Sequence, residues 1–403
     1  MIMIQGKIFK LKGKIQYYAW GGTEYIPYWL GINNTGNKPF AEYWMGAHPS
    51  ASSAIEINGK EESLFELIQH EPEVFLGAGV NKQFGELPYL FKILDVKEML
   101  SIQVHPSKGS AIEGFEQEEA LGLAVDASRR NYRDKNHKPE VMVALSEFWL
   151  LHGFLSEDKL LKVLQTVPEF RSFEKIVSGN GYRGLYEYVM MMPQVEIDKL
   201  LGSLVEREIN RKRNNELTKH HAGWWVAKLY EHGKPAENFD RGIFSIYFFN
   251  IVKAYPGEAV FQGAGIPHAY LEGQNVELMA NSDNVLRGGL TPKHVDVPEL
   301  IKHIIFEGVR PNVMKGIDLT SGEKNYPCPV EDFGISKIEL NGPETYQSAS
   351  TSLEIIVIIE GELNISGTNS LPAKKGQAIA ILPGETYTIS TNNKLYAYKA
   401  FVP

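Results

Sequence analysis

A glutamine and a histidine lie two residues apart in the segment MLSIQVHPSK, and both side chains can bind a metal ion. Only Val104 separates Gln103 from His105, so on a β-strand the two side chains point to the same side of the sheet. Burying both in a small β-structure costs free energy unless each polar group finds a partner. The pair is therefore a candidate for metal binding; the alternative is a pair satisfied by hydrogen bonds within the protein.

Two further segments carry side chains of the same kind. In NHKPE, Lys138 and Glu140 share one face of a predicted strand that continues into the apolar run VMVAL. In PHAY, His268 follows a glycine-rich turn at the start of a predicted strand. Taken singly, each has a plainer interpretation: NHKPE as a charged surface turn, and His268 as a packed histidine.

Together, Gln103, His105, Glu140 and His268 provide two imidazoles, one carboxylate and one amide oxygen. Such a set suits Zn²⁺, and it also allows Mn²⁺, Fe²⁺ or Co²⁺. Because the set contains no cysteine, it argues against a purely structural zinc site. We therefore predict a metal with open coordination positions that acts as a Lewis acid.

The segment ELMANSDNVLRGGLTPKH (277–294) follows PHAY and contains Glu277, Arg287 and Lys293 among glycine, asparagine and aspartate residues. Its plainest interpretation is a polar surface loop. In a substrate loop, the planar guanidinium group of Arg287 would hold anionic oxygens, and the carboxylate of Glu277 would be a candidate base.

Short β-forming runs fill both ends of the chain. Residues 1–155 contain IFKLKGKIQYYAW, SAIEI and PYLFKILDV, separated by glycine, proline and asparagine, which predicts strands joined by turns. The N-terminal MIMIQGKIFKLKGKIQYY alternates apolar and basic residues, and it predicts a strand rather than a signal peptide. β character returns from about residue 242 with IFSIYFFNIVKAY, and the EG at 360–361 predicts a hairpin turn.

Residues 156–235 have the pattern of helices. Ser156 is a predicted N-cap, followed by Glu157 and Asp158 in the first turn. Pro193 predicts the start of another helix. The apolar residues expected on the inner side of that second helix are Val195, Ile197, Leu200, Leu201 and Leu204.

A weak internal repeat relates the two β regions. GEAVFQGAGIPHAY (257–270) aligns without gaps on GQAIAILPGETYTI (376–389), and His268 falls opposite Tyr387. We interpret this as two related β-barrels, of which the second lacks a metal ligand at this position. The alternative is a chance likeness between two β-hairpins, since turn chemistry alone produces similar patterns.

These patterns predict a mainly β fold with a helical insertion, in which two cupin-type jelly-roll barrels accompany an α-helical domain. Residues 1–155 together with 236–315 are expected to form the metal-binding barrel. Residues 156–235 are expected to be the insertion, and residues 316–403 a second barrel without metal.

The bulk composition narrows the functional class. With 403 residues the chain is long enough for two or three domains. Its single cysteine, Cys328, excludes an intrachain disulfide and fits a reducing compartment. No apolar run approaches the ~18 residues of a membrane span, so we expect a soluble cytoplasmic protein. The net charge of −8 argues against nucleic acid as a partner, whereas a few cations in one cleft are enough to bind an anionic substrate.

The same segments resemble the type I phosphomannose isomerase family. The likeness includes IQYYAWG, AEYWMGAHPS, PYLFKILDVKEMLSIQVHP, YRDKNHKPE and FEGVRP. Its strongest part is GEAVFQGAGIPHAYLEGQNVELMANSDNVLRGGLTPKH (257–294). The chain departs from the family pattern at Gln274, where aspartate is common, and in DNVLRGG, where the family has DNVVRAG. Neither departure affects a proposed metal ligand.

The resemblance implies a function as well as a fold. It implies one Zn²⁺ per chain, bound by Gln103, His105, Glu140 and His268, and a monomer that interconverts two hexose 6-phosphates, mannose 6-phosphate and fructose 6-phosphate. The other residues that match the family's active site are Arg287, Lys138 and Lys293 as catalytic residues, Glu277 nine residues after the PHAY histidine, and Ser101 and Lys92 near the substrate phosphate.

Two questions stay open at this level. The carbon base is either Glu277 or Lys138, and we prefer Glu277 because a carboxylate is already ionised at pH 7. Two other functions also fit a metal-binding β-barrel: a mononuclear iron dioxygenase and a non-catalytic sugar-binding protein with two barrels.

Overall fold

The strand-rich segments of the sequence form strands, and the segment between them forms helices. The computed structural model describes residues 5–320 and 322–403; residues 1–4 of the predicted N-terminal strand lie outside this range. The strands are β1 Ile8–Lys12, β2 Lys14–Gln16, β3 Glu42–Gly46, β4 Ala54–Ile57, β5 Lys60–Ser63, β6 Tyr89–Val96, β7 Gln103–Val104, β8 Glu140–Ala144, β9 Phe148–Phe154, β10 Phe249–Ala254, β11 Ala259–Gln262, β12 His268–Ala280, β13 Leu286–Arg287, β14 Ile317–Thr320, β15 Glu323–Tyr326, β16 Gly334–Asn341, β17 Glu344–Ala349, β18 Glu354–Glu360, β19 Glu362–Ser366, β20 Ser370–Lys374, β21 Ala378–Ile381, β22 Thr386–Thr391 and β23 Lys394–Phe401. The helices are α1 Tyr25–Leu30, α2 Leu64–His70, α3 Pro72–Leu76, α4 Ala78–Phe84, α5 Lys108–Ala120, α6 Glu157–Thr166, α7 Glu174–Met191, α8 Gln194–Arg213, α9 Ala222–Leu229, α10 Gly242–Phe248 and α11 Val297–His303, with a 3₁₀ helix at Pro168–Phe173.

A ten-stranded sheet, which we call the first β unit, is organised around the long strand β12. The first residues of β12 pair with β7 and β9, and its second half pairs with β6 and β8. The two parts of the sheet enclose an interior whose apolar part includes Leu94, Met142, Leu150 and Val260. Because side chains alternate along a strand, the neighbours of these residues point the other way; Ile93, for example, packs in a different cluster.

The second β unit consists of a nine-stranded sheet and a four-stranded sheet packed face to face. The nine strands run in the order β14-β15-β16-β23-β18-β21-β1-β4-β5, and the four in the order β17-β22-β19-β20. Their shared core contains Ile356 and Ile358 from one sheet and Ile365 and Ile389 from the other. The central strand β18 of the nine-stranded sheet is buried on both faces, since Ile355 packs in the cluster that also holds residues of the first β unit.

The beginning of the chain takes part in the second β unit. Strand β1 pairs with β21, with Ile8 opposite Ile381, and on its other side with β4. Strands β1, β4 and β5 therefore hydrogen-bond in the sheet built mainly from residues 317–401, whereas β2 and β3 belong to the first β unit. The predicted domain boundaries at 155, 235 and 315 remain predictions.

The helical region packs around one apolar cluster that also receives side chains from β9 and β12. Helix α8 follows Pro193 as predicted, and Ile197, Leu201 and Leu204 are buried. The prediction for Val195 is wrong: its side chain is 80% exposed, because it lies in the first turn, on the solvent side of the helix.

The strand predicted from the sequence at residues 242–248 is wrong, because these residues form helix α10. All seven residues of α10 are buried, and a short run that is apolar on every side carries no periodicity to distinguish a helix from a strand. The predicted hairpin at 360–361 is also wrong, because β18 and β19 belong to different sheets. Gly361, with φ of 87°, turns the chain from one sheet to the other.

The predicted fold class is confirmed: the chain is mainly β, with a helical insertion between strands β9 and β10 of the first β unit. The strand pairings of the described residues leave both units as open, layered sheets rather than closed barrels, as in a double-sheet jelly roll. None of the described helices combines the length and apolar character needed to cross a membrane.

Candidate metal and substrate site

Three of the four predicted metal ligands meet inside the first β unit. One ligand atom each of His105, Glu140 and His268 lies within 4.8 Å of the others, and all three residues are buried. The two oxygens of Glu140 lie 3.4 Å from Nε2 of His105 and 3.4 Å from Nε2 of His268. The carboxylate therefore stands between two imidazoles.

The outer ring nitrogen of each histidine is held by the backbone. Nδ1 of His105 lies 2.9 Å from the carbonyl oxygen of Asn284, and Nδ1 of His268 lies 2.9 Å from that of Ile266. A carbonyl oxygen only accepts, so each Nδ1 donates, and in the neutral form of each ring Nε2 is the nitrogen that carries the lone pair. Burial lowers the pKa of His105 to about 4, which keeps this ring neutral at pH 7.

The two inward nitrogens fit a metal ion. Nε2 of His105 and Nε2 of His268 are both buried without a hydrogen-bond partner in the described part of the chain. A buried polar atom without a partner is costly, and a neutral imidazole with its other nitrogen held by a carbonyl is the usual form of a metal-ligating histidine. With the carboxylate of Glu140, the donor set suits Zn²⁺.

Gln103, the fourth predicted ligand, lies next to this cluster. Strand pairing places Gln103 opposite His268 on one side and opposite Arg287 on the other. Ligation by its amide oxygen remains a prediction.

The site also contains a row of buried charges. Nζ of Lys138 lies 3.2 Å from Glu140, and Nζ of Lys92 lies 3.0 Å from Glu277 and 3.9 Å from Glu42. Burial alone would raise the pKa of Glu140, but the charge of Lys138, reinforced by the two neighbouring imidazoles, outweighs it and holds the pKa well below its usual range. For Glu277 burial prevails over the charge of Lys92, and its pKa is raised.

These charges do not balance within the protein. Leaving the two histidines out of the count, the carboxylates of Glu42, Glu140 and Glu277 exceed the ammonium groups of Lys92 and Lys138 by one negative charge. A divalent cation would reverse that sign, and the interior would then attract an anionic substrate.

Arg287, Ser101 and Lys293 lie on or beside the chain segment that follows β12. Arg287 is on β13, which pairs with β7 through Gln103. Beyond that pair, the backbone of Ile102 exchanges hydrogen bonds with Gly288 and Gly289, so Ser101 lies beside the segment that carries Arg287. Lys293 follows in the same loop, and burial together with the charges of Arg287 and Arg133 lowers its pKa.

Sequence reasoning missed several residues of this interior. Glu42 accepts a short hydrogen bond from the indole of Trp44 and faces Lys92; a glutamate within the otherwise apolar AEYWM would have been a usable indication. His152 and Gln262 pair at 2.7 Å and stand opposite His268 and Glu140 in strand register. No local sequence pattern marks these two residues as part of the site.

Comparison with known proteins agrees with this geometry. Residues 8–156 match the model of the phosphomannose isomerase type I catalytic domain. The chain is 36% identical to mannose-6-phosphate isomerase of Escherichia coli over 94% of its own length and 95% of the relative's. This chain belongs to the type I phosphomannose isomerase family. A plant member, mannose-6-phosphate isomerase 2 of Arabidopsis thaliana, is 31% identical over 93% of this chain and 89% of that protein.

Solved structures of the family have the same fold. Mannose 6-phosphate isomerase of Salmonella typhimurium, described as bound to its substrate fructose 6-phosphate and to zinc, superposes with a TM-score of 0.86. The match covers 98% of this chain and all of the other, at 34% identity. A second structure, of a zinc-bound mannose 6-phosphate isomerase, superposes equally well at 33% identity.

Proposed function

We propose that this chain interconverts mannose 6-phosphate and fructose 6-phosphate with one Zn²⁺ bound by Gln103, His105, Glu140 and His268. The observation that carries the proposal is the buried His–Glu–His cluster with two unpartnered Nε2 atoms, found in a member of this family. The two alternative functions, an iron dioxygenase and a non-catalytic sugar-binding protein, give no reason for the cations Arg287, Lys138 and Lys293 near the same site.

The reaction is a proton transfer between neighbouring carbons. A base removes the proton at C2 of the open-chain aldose, and the electron pair forms a C1–C2 double bond while the C1 oxygen gains a proton. Return of the proton to C1, with loss of the proton on the C2 oxygen, gives the ketose. A bound zinc ion supplies a Lewis acid for the oxygens at these two carbons.

We assign the carbon base to Glu277. Its raised pKa makes it a stronger base than an ordinary carboxylate, and the ion pair with Lys92 at 3.0 Å holds it in place. Lys138 is the alternative, but its ammonium group is paired with Glu140 and would have to lose a proton before acting as a base.

Arg287 is assigned the role of stabilising the negative charge of the enediolate. Its guanidinium group has no carboxylate within ion-pair distance in the described chain. Burial lowers the pKa of Arg287, and the nearby positive charge of Arg133 lowers it further. A fixed cation that is not already neutralised stabilises a developing oxyanion most effectively. Ser101 and Lys92 are proposed to contact the phosphate, and Lys293 to support the anionic substrate from its loop.

The decisive experiment is a coupled assay of fructose 6-phosphate formation from mannose 6-phosphate. Activity that disappears on chelation and returns with Zn²⁺ would support both the reaction and the metal. A zinc-loaded protein without activity would refute the proposal, and oxygen consumption by an iron-loaded sample would favour a dioxygenase instead.

We further propose that the protein acts as a monomer in the cytoplasm, as the family resemblance implies. Light scattering during size-exclusion chromatography should give the mass of one chain. A concentration-independent dimer would contradict this part of the proposal.

A further inference from the structure

We propose that Arg133 binds the phosphate group of the sugar substrate together with Lys293, at a position bordered by Arg287. This inference rests on the proposed function and adds a substrate-binding residue to it. Arg133 lies in YRDKNHKPE, seven residues before Glu140.

A phosphate dianion needs positive charge that is not already balanced. Lys92, the buried candidate, is only 6% exposed and lies between Glu277 and Glu42. The charges of these carboxylates raise its pKa against the effect of burial, so the ammonium group is already neutralised locally. A contact between Lys92 and the phosphate therefore adds little net positive charge while Lys92 keeps its 3.0 Å contact with Glu277, and other cations have to supply the rest.

Arg133 is tied to the metal site through its backbone. Its N–H donates to Oδ1 of Asn284 at 2.7 Å, and the carbonyl oxygen of Asn284 accepts from Nδ1 of His105 at 2.9 Å. Asn284 belongs to the same loop as Arg287 and Lys293. One residue therefore fixes the position of Arg133 relative to a predicted ligand and to the substrate loop.

The side chain of Arg133 is exposed and has no hydrogen-bond or ion-pair partner in the described residues. Its neighbours in sequence differ: Lys135 pairs with Glu116 at 2.9 Å, and Arg130 pairs with Glu119 at 2.6 Å. Lys293 is likewise exposed and without a carboxylate partner.

The three cations lie close enough to affect one another. Burial is the main cause of the lowered pKa values of Arg287 and Lys293, and the positive charge of Arg133 lowers both values further. Like charges gathered without a carboxylate repel one another, and a phosphate that binds several of them relieves that repulsion. Arginine also presents paired donors that match phosphate oxygens.

The test compares Arg133→Gln and Arg133→Lys with the wild-type protein, all zinc-loaded. Two quantities are measured: the KM for mannose 6-phosphate, and the Kd for inorganic phosphate by calorimetry. The control is Arg129→Gln, which removes an exposed arginine from the same loop without removing a neighbour of Arg287.

Arg133→Gln should raise both KM and the phosphate Kd by about tenfold, leave kcat within twofold and leave zinc content unchanged. Arg133→Lys should give intermediate values. Values for Arg133→Gln within twofold of wild type would overturn the inference, as would an equal shift in Arg129→Gln. A wild-type protein without isomerase activity would refute the proposed function, while the phosphate Kd values would still decide the role of Arg133.

Discussion

His268 of the first β unit and Tyr387 of the second are aligned in the proposed sequence repeat, and the two side chains meet very different surroundings. Nε2 of His268 faces Glu140 at 3.4 Å and has no hydrogen-bond partner in the described chain. The hydroxyl of Tyr387 donates to Glu354 at 2.7 Å. Nε2 of His268 is left without a hydrogen-bond partner among the described residues, whereas the hydroxyl of Tyr387 has its hydrogen bond within the protein.

The rest of the second interior follows the same rule. Nζ of Lys399 lies 2.8 Å from Glu323 and donates to the hydroxyl of Tyr346 at 2.7 Å, and that hydroxyl donates to Glu323 at 2.9 Å. A closed network of this kind leaves nothing for a ligand to satisfy. Buried charge alone therefore does not indicate a binding site; at the first site the indication is that two metal-binding nitrogens without partners in the described residues face one carboxylate.

The largest expected effect is loss of the metal from the first unit. His268→Ala should reduce zinc content and lower kcat by more than about 100-fold, since even residues that only support metal ligands cost that much. Metal analysis and the coupled assay test this. The control Tyr387→Phe changes the residue that is aligned with His268 in the proposed repeat, and it should leave the zinc content unchanged. A loss of zinc in this variant would contradict the contrast between the two units.

Removing the proposed carbon base should have the next largest effect. Glu277→Gln is expected to lower kcat by about 10²–10⁴ with zinc still bound. Because burial raises the pKa of Glu277 and only its ionised form accepts a proton, wild-type kcat should fall on the acid side at a pH above the ordinary carboxyl pKa of about 4.3. If the variant keeps the same acid limb and most of its activity, Lys138 becomes the base.

Arg287→Ala should lower kcat by about 10²-fold or somewhat more, the usual effect of removing one group that stabilises an oxyanion. Zinc content should not change, because the metal cluster is formed by other residues. A kcat within twofold of wild type would show that the arginine has a different role.

The smallest effect is expected in the second unit. Tyr387→Phe removes the hydrogen bond to buried Glu354 and should lower the free energy of unfolding by about 1–3 kcal/mol, with kcat within twofold. Urea unfolding and the coupled assay measure the two quantities. A large loss of activity without a loss of stability would mean that the second unit takes part in the reaction.

Residues that contact one another through local strand geometry were the most predictable from sequence. The types and local spacing of residues in three motifs were enough to collect His105, Glu140 and His268. Ligation by Gln103 and the alignment of His268 with Tyr387 remain predictions. Glu42 approaches Lys92 from a strand about fifty residues earlier, and no spacing rule records such a contact. The strand predicted for helix α10 failed for a different reason, since complete burial removes the periodicity that distinguishes the two structures.

The pairing of β1 with β21 has a consequence for synthesis of the protein. Strand β1 is synthesised roughly 370 residues before its partner β21, and at about 5–20 residues per second that means a delay of some tens of seconds. During this time the edge of β1 is open to other nascent chains. Lys10 and Lys12, whose side chains remain exposed on β1, are charges of the kind that discourage such pairing.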